Sequence, residues 1–123
     1  MKSESNARQC CPAESAMVVL GGKWRVGIIH QLQQGATRFN ALKEHLPGIT
    51  QKMLTQQLRH LQRFGIIERR QLERIPPHVE YSLTPLGKKV FPLLAQITEW
   101  AKIHMPALEA AAAASDAAAK RTA

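Results

Sequence analysis

Lys52, Gln56, Arg59 and Arg63 recur at i, i+4, i+7 and i+11, the spacing of one face of a helix. These side-chain types hydrogen-bond to adenine, guanine and phosphate, and no carboxylate interrupts them. Leu54, Leu58 and Leu61 fall at i, i+4 and i+7 on another side of the same segment. The leucines are therefore expected to face a core and the glutamines and cations to face outward. On that outward side, Gln51, Lys52, Thr55, Gln56 and Arg59 are candidates for contacting a nucleic acid. Gln56 can take adenine bidentately, Arg59 or Lys52 can take guanine, and Thr50 and Thr55 suit a phosphate or a thymine methyl. The alternative is a solvated polar face with no partner.

The neighbouring elements decide between these readings. Pro12 after Cys11 marks a first helix that runs to Leu20 and stops at Gly21-Gly22. A second covers Lys23 to Gln34 and ends at Gly35. Thr37 is expected to cap a third, through Phe39, Leu42 and Leu46, which Pro47-Gly48 ends. Thr50 caps the fourth, which closes at Phe64-Gly65. The period then changes: Ile66 to Glu73 and Val79 to Leu83 read as strands. Ile75-Pro76-Pro77-His78 forms the hairpin tip, since two prolines cannot sit inside a sheet. A last helix opens at Thr84-Pro85 with the stripe Leu86, Val90, Leu93/Leu94, Ile97 and Ala101, and Pro92 is expected to bend it. The sum is a mainly α chain with a small β-hairpin, a winged helix-turn-helix. It divides into a flexible segment 1–10, the winged domain with its dimerisation helices 11–105, and an Ala-rich tail 106–123.

Composition agrees with a nucleic-acid partner. The chain has 123 residues, enough for one core, and 45% are apolar. Its formal net charge is +8, from 17 Lys+Arg against 9 Asp+Glu. Between Arg38 and His78 there are eight Lys/Arg and three Glu, so most of the excess lies in the expected reading half. Within that half, Arg38 can hold a phosphate or pair with a neighbour such as Glu68. Arg74 and His78 flank the hairpin prolines and suit a phosphate or the minor groove. Met17 to Leu20 is far too short an apolar run to cross a membrane, so a cytoplasmic protein without a membrane partner is expected.

An enzyme is not indicated. The five histidines lack metal-ligand spacing, no phosphate loop is present, and no Ser–His–acid set is evident. No cofactor or metal is expected. The rival reading is a winged helix that binds protein or RNA without thiol sensing, because the fold alone does not choose the partner.

Five stretches together resemble the HxlR family of bacterial regulators, a branch related to MarR-type winged helices. They are Cys11-Pro12-Ala13-Glu14, Leu20-Gly21-Gly22-Lys23-Trp24, Arg38-Phe39-Asn40-Ala41-Leu42, the run from Pro47 to Leu58, and the run from Pro76 to Thr84. The resemblance covers Cys11 to Trp100. It implies a homodimeric transcription factor on an inverted repeat of double-stranded DNA. Physical reasoning also suggests a dimer. Met17, Val18 and Leu20, with Val90, Leu94, Ile97, Trp100 and Ala101, would leave a large apolar patch on a monomer, and a two-fold pairing buries it. The alternative is a stripe packed within one subunit.

In some members of the family, the Cys before the Pro senses quinones, aldehydes or oxidants, and here that residue is Cys11. Its thiol would sit at the positive end of a helix dipole, which favours an anionic sulfur, while Glu14 in the first turn opposes this. Cys10 is a candidate resolving thiol, better placed for a bridge to a partner subunit than to its neighbour. A small reactive electrophile would be the inducer. The alternative is that Cys11 is a small buried cap and Cys10 incidental. Two cysteines instead of the usual one, and the Ala-rich end, are departures from the family pattern.

Overall fold

The computed structural model describes residues 11–73 and 75–122. The order is α1 (Pro12–Leu20), α2 (Arg25–Leu32), β1 (Thr37–Arg38), α3 (Phe39–Glu44), α4 (Gln51–Arg63), β2 (Ile67–Leu72), β3 (His78–Leu83), α5 (Pro85–Lys88) and α6 (Val90–Thr122). The strands form one antiparallel sheet in the order β1-β3-β2. The chain divides into two units, one ending at Val90 and the other made of the rest of α6.

Local chemistry sets most boundaries. α1 begins with Pro12 behind Cys11, and Gly21 closes it by donating its N–H to Met17 O at 2.8 Å. At α4 the Thr50 hydroxyl accepts from the Met53 amide at 3.1 Å, which satisfies one of the amides a helix start leaves free. Between α3 and α4, Gly48 takes φ +92°, which a side chain would resist. The core gathers Ile28, Ile29, Leu42, Leu54, Leu58 and Leu61, all fully buried.

Three elements differ from the sequence reading. Thr37 does not cap α3. It is extended with Arg38 as β1, pairing with Tyr81 and Glu80 of β3, and its hydroxyl donates to Gly35 O at 2.9 Å. The sheet therefore has three strands, and α3 starts from Arg38 with no side-chain cap bond. The second helix is shorter than expected, with turns at both ends.

The last helix is two helices, broken at Lys89. Pro92 then lies in the first turn of α6, where its missing N–H is no loss. Pro106 is the proline inside that helix, and the Ala-rich segment continues it to Thr122.

Just ahead of the break, α5 docks tightly. The Thr84 hydroxyl caps α5 by accepting from Gly87 N at 2.9 Å and donates to Gly65 O at 2.6 Å. That clamp holds Gly87 so close to the residue preceding β2 that a Cβ there would overlap the Ile66 carbonyl oxygen. Gly87→Ala must move backbone, and is expected to cost about 1–3 kcal/mol in urea unfolding, the usual range for an overpacked site. An unchanged midpoint would contradict this approach.

Candidate nucleic-acid interface

α3, the turn through Gly48 and α4 form a helix-turn-helix, with the β2–β3 hairpin following as a wing. Leu54, Leu58 and Leu61 are 0%, 1% and 0% exposed. Burying each contributes roughly 1.5–3 kcal/mol, which fixes the rotation of α4 about its own axis. The opposite side carries Lys52, Gln56, Arg59 and Arg63, all exposed, together with exposed Gln51 and half-buried Thr55. No acidic residue occurs in α4.

The two flanks of α4 contact different neighbours. On one, Gln57 Oε1 accepts from Arg25 Nε at 2.8 Å, and the same guanidinium donates through Nη1 to Gly21 O at 2.7 Å and Val18 O at 3.3 Å. One turn on, His60 Nε2 lies 3.0 Å from Val19 O, so that nitrogen carries the hydrogen. The His60 ring also packs on Phe64, with centroids 5.0 Å apart. Arg25, Gln57 and His60 thus join α4 to the end of α1. Sequence reasoning missed all three as a set. The i, i+3 spacing of Gln57 and His60, between the leucine and basic stripes, was the available signal.

The other flank faces the sheet. Thr55, Leu58, Arg59 and Gln62 of α4 line a cleft of about 420 Å³ with Arg69 of β2 and Tyr81 of β3. Arg69 and Tyr81 are cross-strand partners. Arg69 is a further residue that sequence reasoning missed, because which strand face meets α4 depends on the pairing register.

The remaining candidates scatter. Arg38 is exposed on β1 opposite Glu80, and Glu80 is opposite Arg70 on β2. Glu68, weighed as a partner for Arg38, instead lies 4.0 Å from Arg70 and accepts from Ser82 at 3.5 Å. Thr50 is exposed, its hydroxyl already accepting the capping bond. Arg74 lies outside the described residues. His78 is half-buried with Nε2 3.8 Å from a Glu80 oxygen, too long for a hydrogen bond. Residue parity sets His78 on the sheet face opposite Arg69, away from the cleft.

Cys11 is a free, exposed thiol at the α1 N-cap that makes no capping bond, which overturns the buried-cap alternative. Cys10 lies outside the described residues. Of the apolar set, Met17, Val18, Ile97 and Trp100 are exposed at 52%, 53%, 44% and 53%. Leu94 and Ala101 are half-buried. Leu20 and Val90 do not belong with them, since the fold uses both in the core at 7% and 9% exposure. The described residues hold no cluster suited to a metal and no helix long and apolar enough to cross a membrane.

Comparison with known proteins gives the same architecture a family. The HxlR-like helix-turn-helix family matches residues 19–109. The HTH-type transcriptional regulator YdeP of Bacillus subtilis is 41% identical over 109 residues, covering 86% of this chain and 85% of that protein. The reduced form of the redox regulator HypR is 40% identical, with a TM-score of 0.75 over 81% of this chain and 99% of that one. The reduced form of the transcriptional regulator YodB from B. subtilis is 36% identical, with a TM-score of 0.72 over 78% of this chain and 94% of that one. These relatives are named as regulators, not enzymes. The chain belongs to the HxlR-like helix-turn-helix family and is a transcriptional regulator of the helix-turn-helix type.

Proposed function

We propose that this regulator is a homodimer that reads an inverted repeat of double-stranded DNA by laying α4 in the major groove. The observation that carries the reading is the exposed, acid-free face of α4 directly behind its buried leucines. N-terminal residues of such a helix reach base edges, which assigns reading to Gln51, Lys52 and Gln56, with Thr50 and Thr55 beside them. Arg38, Arg74 and His78 are assigned backbone contacts. Gln56→Ala should weaken binding to the preferred inverted repeat by about 1–3 kcal/mol and relax preference at one base pair, measured by anisotropy on a mutated-site panel. Equal losses on specific and random duplex would remove the base-reading role.

Dimerisation is supported by apolar side chains that the described residues leave uncovered. Met17 and Val18 are exposed on α1, and Leu93, Ile97 and Trp100 are exposed on α6. A two-fold axis between such surfaces would set two recognition helices one DNA turn apart, roughly 34 Å. Trp100→Glu should convert the dimer to a monomer in sedimentation and abolish the advantage of a full repeat over a half-site. A dimer that survives that change intact would place the interface elsewhere.

The exposed Cys11 supports a further role as a sensor of electrophiles or oxidants, with Cys10 as its resolving candidate. HypR, a redox regulator by description, is among the similar structures. With a quinone the Cys11 sulfur adds to a ring carbon, the ring takes up the electron pair, and the thiol proton ends on a quinone oxygen. Treated wild type should lose DNA affinity while Cys11→Ser keeps it. Unchanged affinity in wild type, or an equal loss in the variant, would remove Cys11 from the mechanism.

A further inference from the structure

The cleft between α4 and the hairpin has a closed floor and a cationic rim. Leu58 and Tyr81, 1% and 8% exposed, form the floor. Arg59, Arg69, Thr55 and Gln62 complete the lining. No carboxylate lines the cleft, and neither arginine has an acidic partner among the described residues.

The strand register explains how this comes about. Side chains alternate across a sheet, so Ile67, Arg69 and Gln71 share a face with Leu83, Tyr81 and Val79. Both strand carboxylates, Glu68 and Glu80, lie on the other face with Arg70. Arg69 therefore faces α4 without a counter-charge, next to a second cation. Two guanidiniums over one cleft repel until an anion enters, and their fixed donor forks match phosphate oxygens.

The geometry points to this cleft as the seat of one backbone phosphate of the bound duplex, held jointly by Arg59 and Arg69. The inference rests on the DNA-binding reading and deepens it. Arg59 belongs both to the exposed face of α4 and to the cleft, so a duplex lying on that face carries its backbone over the rim. One strand's backbone separates the major groove from the minor groove, and a helix in the first with a hairpin at the second must straddle it. Arg59 is then a phosphate ligand, and base reading falls to the earlier turns of α4.

The test uses the full chain and a random-sequence 30-base-pair duplex, which reports phosphate contacts without base preference. Affinity is followed by anisotropy across a potassium chloride series for wild type, Arg69→Ala, Arg69→Gln, Arg59→Ala, the Arg59→Ala/Arg69→Ala double variant and Arg70→Ala. Arg69→Ala and Arg69→Gln should bind roughly tenfold more weakly at low salt, the effect of one charge-assisted hydrogen-bonded contact. Their log–log salt slope should fall by about 0.9 per subunit. Arg70→Ala, on the opposite face, should stay within about twofold of wild type, as expected of an exposed ion pair. The double variant should lose less than the product of its single losses, because both groups hold one phosphate.

An unchanged slope in both Arg69 variants, an equal loss in Arg70→Ala, or fully multiplicative losses would each overturn the assignment while leaving DNA binding intact. Titration with inorganic phosphate alone separates the two sources of the anion. Sub-millimolar binding abolished by Arg69→Ala would reassign the cleft to a free anion and overturn the duplex role. Wild type that ignores duplex DNA would overturn the parent reading, and this one with it.

Discussion

The burial of Leu54, Leu58 and Leu61 beneath α4 is the constraint on which the rest of the molecule depends. Once these side chains are out of water, the helix can present only one surface to a partner, and that surface is the one without acids. Rotating α4 by a third of a turn would expose leucine and bury lysine, both unfavourable. The Thr50 cap fixes where the helix starts, and hence which residues occupy its first two turns.

The sheet separates charge in the same way. Its cross-strand rows put Arg38, Glu80 and Arg70 together on one face, and Thr37, Tyr81 and Arg69 on the other. With Glu68 on the first face, its two arginines meet two carboxylates, whereas Arg69 on the second meets none. The uncompensated charge of the sheet is therefore set toward α4.

How much of this was legible in the chain depended on the range of the forces involved. The α4 face, the Thr50 cap and the hairpin rest on local periodicity and turn chemistry, and the fold reproduces them. β1 was not legible, because two residues cannot show alternation and its partner lies far along the chain on β3. The break at Lys89 was hidden because Leu86 and Val90 keep helical spacing across it. The approach of Gly87 to the Ile66 carbonyl, just ahead of the break, is a tertiary contact that spacing does not show. Leu20 and Val90 look the same in sequence as Met17 and Ile97, and only packing separates the core pair from the exposed one. Arg69 required the register, and the Arg25–Gln57 and His60–Val19 bonds required the relative placement of α1, α2 and α4.

Those last bonds end on a particular kind of acceptor. The carbonyls of Val18, Val19 and Gly21 lie at the close of α1, where a helix runs out of its own amides. Arg25 and His60 supply the missing donors, and Arg25 extends to Gln57 with the same guanidinium. The seating of α4 and the winding of the final turn of α1 are in this way one mechanical unit. Fraying at that turn strips acceptors from two side chains at once and slackens their hold on the helix beyond.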